Sequence, residues 1–157
     1  MILTFKPYKV GDFIEVQGRK GTVTNINIFN TEMISAEHKT IITPNSVITS
    51  DTIINYDKIG NIRVDVTVGI SYSADLQQAK KVLQTVVEAN THTLDTPVPG
   101  VFVSELADSS VNLIVRGFCA PGDYRPTYFS LTEEVKLALD AANIEIPFPQ
   151  RVVHMTK

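Results

Sequence analysis

The chain has 157 residues, 43% of them hydrophobic and 20% charged, with a net charge of −3 and an isoelectric point near 5.6. This length suits one ordinary domain or two small ones, and the composition is that of a folding chain, not a disordered one. The acidic balance, with no stripe of Lys and Arg to neutralise a run of phosphates, argues against nucleic acid as a partner, and the single cysteine, Cys119, excludes an intrachain disulfide or a thiolate metal cage and fits a reducing compartment.

The first half of the sequence reads as short strands: Phe13 to Val16, Gly21 to Phe29, Thr31 to Ile34 and Thr40 to Thr43. They are separated by Gly18, the Asn30 corner and the Ala36-Glu37-His38 turn. Val23 and Ile26 fall on opposite faces of a strict period of two, so a bulge or bend around Thr24 and Asn25 is expected to bring both inward. Such curvature suggests a small β-barrel. Pro44 should stop the last strand, and Asn45 suits the start of a helical turn through Val47 and Ile48.

The pattern changes near Asn55 to Asn61, where a domain boundary is expected. Ile62, Val64, Val66, Val68 and Ile70 then alternate with more polar residues or glycine, as in a half-buried strand. Asp75 can cap a helix to about Ala89 whose apolar face is Leu76, Ala79, Val82, Leu83, Val86 and Val87. Val101 to Leu106 and Val111 to Phe118 suggest a hairpin turning at Asp108-Ser109. A second helix should follow, capped by Asp123, with Tyr128, Leu131, Val135, Ala138, Leu139 and Ala142 inward, and ended by Asn143 and Pro147. The order strand, helix, strand, strand, helix suggests a ferredoxin-like split βαβ domain. The β-prone tail, Gln150 to Thr156, is set apart by Pro147 and Pro149 and is expected to pair with something outside the domain.

The sequence carries little sign of chemistry. It has no Gly-rich phosphate loop, GxSxG elbow, HExxH or paired CxxC. His38, His92 and His154 lie in a hairpin tip, a loop and the tail, with no spacing that converges on a metal. Cys119 has no adjacent base and reads as a packing residue. Glu133 and Glu134 point about 100° apart on a helix and read as a solvated face, as do Lys80 and Lys81. No enzyme activity, cofactor or metal is expected. No apolar run reaches the roughly 20 residues of a spanning helix, and the stretch Met1 to Pro7 is too short for a signal peptide, so the chain is expected to be soluble.

One resemblance covers nearly the whole chain. Lys6-Pro7-Tyr8-Lys9-Val10-Gly11-Asp12-Phe13-Ile14-Glu15-Val16, followed by Gly18 and Gly21-Thr22-Val23, resembles the opening of the cytoplasmic β-domain in the small-conductance mechanosensitive channel (MscS) family. Ile28-Phe29-Asn30-Thr31, Thr43-Pro44-Asn45 and Ile53-Ile54-Asn55 match further family segments in order and spacing. Gly122-Asp123, the helix to Ala141-Ala142 and Ile146-Pro147-Phe148-Pro149-Gln150 resemble its carboxyl-terminal domain. Thr43 stands where the family usually has an apolar residue, and Ser46 replaces a frequent Gly.

The resemblance implies an α+β chain with a small Sm-like β-barrel domain over residues 1–57, a ferredoxin-like α/β domain over 58–149 and an oligomerisation strand over 150–157. Residues 1–6 would be the stub of a pore-lining helix, the membrane helices themselves lying outside the chain. Copies would assemble as a homoheptamer on the cytoplasmic side of the cell inner membrane, forming a windowed cage through which ions and small osmolytes pass. The tail strand, with Val152, Val153 and His154, would join a parallel barrel at the base. Pro44 and Asn45 would lie near the foot of the pore helix, where Asn45 is a candidate for contact with it or, alternatively, a simple helix cap. Two other functions remain open from the residues: an Sm-like RNA-binding ring, which the acidic balance disfavours, and a ferredoxin-like small-molecule sensor or enzyme.

Overall fold

The computed structural model describes residues 7–155. The expected pore-helix stub at residues 1–6 and the end of the tail, residues 156–157, lie outside the described residues. The described chain resolves into two compact units, one ending at Ile62 and the other beginning at Arg63.

The first unit is a five-stranded antiparallel sheet in the order β4-β3-β2-β1-β5. Its strands are β1 (Phe13–Val16), β2 (Arg19–Ile26), β3 (Asn30–Ile34), β4 (Thr40–Pro44) and β5 (Ile53–Asn55), with the short helix α1 (Asn45–Ser50) between the last two. Gln17 and Gly18 join β1 to β2 with φ of 50° and 72°, the left-handed pair that a two-residue hairpin matching the strand twist requires. Gly21 is buried where a Cβ would come within 2.9 Å of the Ile34 carbonyl oxygen, so β2 and β3 pack too closely there for a side chain.

The expected bulge is present: the β2–β3 register shifts between Val23 and Asn25. It lets Val23 enter the core and Ile26 pack against it. β2 ends at Ile26, where the chain turns back to begin β3 at Asn30, so the anticipated continuation to Phe29 is instead a loop. The core is Tyr8, Ile14, Val16, Val23, Met33 and Ile48, the last contributed by α1. β5 was not expected from the residues; two isoleucines and an asparagine are too few to show a period, and the strand exists because β1 offers it an edge.

The second unit has a three-stranded sheet, β6-β8-β7, made of β6 (Ile62–Ile70), β7 (Gly100–Leu106) and β8 (Val111–Cys119). The helix α2 (Leu76–Ala89) follows β6 and packs on β7, β8 and the second helix, α3 (Tyr124–Ala141). Val64, Val66 and Ile70 of β6, Leu113, Val115 and Cys119 of β8, Ala79, Leu83 and Val87 of α2, and Leu131, Val135 and Leu139 of α3 are buried. Burial raises the Cys119 thiol pKa, as suits the packing role read from the sequence. On the opposite side of the sheet Asp65 of β6 takes a bidentate grip from Arg116 of β8 at 2.8 and 3.0 Å, and the guanidinium lies 5.5 Å from the Phe102 ring of β7.

The helix ends differ from expectation in instructive ways. Asp75 caps α2 as expected, accepting from the backbone N–H groups of Gln77 and Gln78 at 2.9 and 3.0 Å. Asp123 occupies the equivalent position before α3 but makes no side-chain cap, because a 3₁₀ turn over Pro121–Asp123 leads into the helix and leaves Asp123 in a non-extended conformation. Tyr128 is exposed and Thr127 is buried in its place, its hydroxyl donating to the Asp123 carbonyl at 2.6 Å. Asn143 ends α3 with φ of 54°, and the bonds Asn143 N–H to Asp140 O and Ile144 N–H to Leu139 O form a Schellman closure over the buried Ile144. Glu134, read as solvated, accepts from the Asn90 amide that ends α2, at 3.0 and 3.1 Å to its two oxygens.

Candidate functional site

The residues singled out in the first unit, Pro44 and Asn45, stand where β4 becomes α1. Pro44 has φ −57° and ψ 137°, extended backbone that ends the strand and serves as the N-cap position. Asn45 is therefore the first residue of the helix, and its side chain does not cap that helix. It turns back to the loop between β2 and β3. Its Nδ2 donates to the carbonyls of Asn27 and Ile28 at 2.9 and 3.1 Å, its backbone N–H donates to Phe29 O at 2.8 Å, and its Oδ1 accepts from the Thr31 hydroxyl at 2.8 Å.

The loop is closed at its own base by the Asn27 N–H to Asn30 O bond of 2.8 Å and by Asn27 Nδ2 donating to Asn30 Oδ1 at 2.8 Å. Held this way, Ile28 and Phe29 are turned outward, 77% and 81% exposed. Residues Ile26 to Asn30 line an open groove beside them. Two adjacent large apolar side chains displayed on a loop that is held by hydrogen bonds from Asn45 and across its own base form a surface suited to contact, with the ordering cost of the loop already met by the fold.

Behind the loop lies a residue that sequence reasoning did not single out by itself. Thr31 is 0% exposed, and its hydroxyl lies 2.8 Å from the Tyr8 hydroxyl. Burial raises the Tyr8 phenol pKa, outweighing the opposite pull of the Thr31 hydroxyl, so it stays a neutral donor. Tyr8 and Thr31 both lie in segments that carry the family likeness. Their contact, 23 residues apart in sequence, is carried by no local pattern.

In the second unit, Val152, Val153 and His154 lie in the tail, which is in no strand among the described residues and is exposed throughout. The tail is tied to the β7–β8 turn through Gln150 N–H donating to Ser109 Oγ at 3.1 Å. Among the described residues no group of three or more His, Cys, Asp or Glu is placed to hold a metal ion, and no helix is long and apolar enough to cross a membrane.

Comparison with known proteins defines the class. Residues 1–58 match the family model described as mechanosensitive ion channel, beta-domain, and residues 64–146 match mechanosensitive ion channel MscS, C-terminal. The chain belongs to the MscS family of mechanosensitive ion channels. It is 39% identical over 155 residues to a small-conductance mechanosensitive channel of Edwardsiella ictaluri, covering 99% of this chain and 54% of the relative. It is 36% identical to an uncharacterized MscS family protein of Synechocystis, covering 99% of this chain and 52% of that one. It thus spans about half the length of these curated relatives. The crystal structure of Helicobacter pylori MscS in its closed state superposes with a TM-score of 0.89 at 27% identity, over 99% of this chain and 62% of that chain. The cryo-EM structure of Arabidopsis thaliana MSL1 shares the fold at 17% identity with a TM-score of 0.75, over 94% of this chain and 56% of that chain.

Proposed function

We propose that this chain is the cytoplasmic cage of an ion channel that opens under membrane tension and releases ions and small osmolytes during hypoosmotic stress. The observation that carries this reading is the near-complete superposition on Helicobacter pylori MscS, with both family models matched in order along the chain. In this reading the chain does no chemistry, its membrane-spanning helices lie outside the 157 residues, and it faces the cytoplasm from the cell inner membrane.

The cage is a homoheptamer with three functional parts: a β-domain at 1–57, an α/β domain at 58–149 and an oligomerisation strand at 150–157. An Sm-like character for the first is supported by the order β4-β3-β2-β1-β5 and the bulge that curls β2, which leave β4 and β5 as edges available for pairing between copies. A ferredoxin-like character for the second is supported by the order β6-β8-β7 with helices after β6 and β8. Pro44 and Asn45 meet the foot of the pore helix. Val152, Val153 and His154 form the strand that closes a parallel barrel at the base, which accounts for exposed valines on a tail that pairs with no strand among the described residues.

A chimaera tests the reading. This chain replaces the matching region of the Edwardsiella ictaluri channel, and membrane patches are stretched. Tension-gated currents are expected; a chimaera that assembles in the membrane at parental levels yet passes no current at lytic tension contradicts the proposal.

A further inference from the structure

The hydrogen bonds behind the Ile28–Phe29 loop have a direction that their chemistry fixes. The Asn45 amide is oriented by its neighbours: two backbone carbonyls, of Asn27 and Ile28, require the NH₂ group on their side, which puts Oδ1 toward Thr31. An amide oxygen only accepts, so Thr31 must donate to it, and a threonine hydroxyl has one proton. With that proton committed, the 2.8 Å contact between Thr31 Oγ and the Tyr8 hydroxyl can be a hydrogen bond only if Tyr8 donates. The result is a one-way chain: Tyr8 O–H to Thr31 Oγ, Thr31 O–H to Asn45 Oδ1, Asn45 N–H to the carbonyls of Asn27 and Ile28.

We propose that Tyr8 and Thr31 are positioning residues for the Ile28–Phe29 loop, acting through the Asn45 amide. Each link polarises the next, so the amide that grips the loop is a better donor while Tyr8 is in place. Tyr8 sits ahead of the first strand and is anchored beside a second cluster: Asn55 Nδ2 donates to Pro7 O at 3.2 Å and to Asp12 Oδ2 at 2.8 Å. A displacement of the segment around Pro7 and Tyr8 therefore reaches an exposed apolar surface 20 residues later in sequence through three side chains. Thr31 is fully buried with Tyr8 in place, so the phenol, and not solvent, is the donor to its oxygen in the folded chain. All of these bonds lie within one chain, so the role of Tyr8 and Thr31 does not depend on the channel reading.

Amide hydrogen exchange on the full 157-residue chain provides the test. The reporters are the Asn45 and Asn27 amides, which donate to Phe29 O and Asn30 O, and the reference is the Val23 amide, which donates to Asp12 O in the same unit. Tyr8→Phe keeps the packing and removes one proton; it is expected to speed exchange at Asn45 and Asn27 by roughly threefold to tenfold relative to Val23, the scale of one net hydrogen bond. Thr31→Val is expected to do at least as much, and Thr31→Ser to restore protection. In the double variant Tyr8→Phe/Thr31→Val the loop should exchange no faster relative to Val23 than in Thr31→Val alone, because the phenol has lost its route. Equal acceleration of loop and reference amides in Tyr8→Phe would mark the phenol as a general stabiliser and overturn the proposal. So would additive effects on the loop in the double variant. If Thr31→Val does not fold, Tyr8→Phe and Thr31→Ser still decide the matter through the ratio of loop to reference exchange.

Discussion

Thr43 Oγ1 is a buried side-chain oxygen with no hydrogen-bond partner. It lies at the position where the family pattern favours an apolar residue, and the structure agrees: the side chain is buried and its hydroxyl finds no hydrogen-bond partner. Thr43→Val keeps the shape and removes an unsatisfied hydroxyl, so it should stabilise the first unit by about 1 kcal/mol. That raises its melting midpoint by roughly 4 to 8 °C for a unit of this size; a lowered midpoint would show a partner for the hydroxyl. Glu15 makes the opposite case. The Tyr56 hydroxyl donates to it at 2.7 Å and Lys20 pairs with it at 3.3 Å, and the Tyr56 bond foremost holds its carboxyl pKa below the ordinary 4.5. A depressed folded-state pKa contributes stability that is present above the ordinary value and is lost as pH falls through the folded one. Glu15→Gln should therefore flatten the acid side of the urea-midpoint curve while leaving its shape near neutrality; an unchanged acid limb would contradict this. Thr43 was legible in sequence because a likeness supplied the expected residue. Thr31 was not, since a polar residue inside a strand reads the same whether it faces solvent or a buried phenol.

The two helices of the second unit separate what periodicity can and cannot foresee. α2 begins, ends and faces inward where its spacing and Asp75 indicate, because extended backbone at Asp75 lets the carboxylate reach the free N–H groups of the first turn. α3 begins with the same residue type but after a 3₁₀ turn, and an Asp there cannot reach those groups. Sequence alone gives no sign of that turn beyond Pro121-Gly122, and the helix buries Thr127, one turn before Leu131, in place of Tyr128. The consequence is measurable: Asp75→Ala should cost about 1 kcal/mol in chemical denaturation, while Asp123→Ala should cost less than half of that. Equal losses would mean that Asp123 caps after all. The bulge in β2 was legible for a specific reason, since Val23 and Ile26 cannot both face a core without an extra residue between them. β5 was illegible because its pairing with β1 depends on an edge that only the folded sheet provides.

At the scale of the molecule, the second unit hangs on a small buried core in which Val64 is fully enclosed. Val64→Asp places a carboxylate there without a partner, at a cost of several kcal/mol against a domain stability of about 5 to 15, and should abolish the cooperative unfolding of that unit. A transition at the parental temperature would contradict the placement of β6. The tail has no such core, and Val152 and Val153 are exposed, so assembly is where the proposed cage reading is most open to test. The direct measurement is the native mass of the 157-residue chain by light scattering across a range of concentrations, beside the same chain lacking residues 150–157. A cage closed by its own tail strands requires seven times the 17.3 kDa chain mass for the intact form, and a smaller assembly or a monomer for the truncated one. A 17.3 kDa species at every concentration, or an assembly that the truncation leaves unchanged, would contradict it.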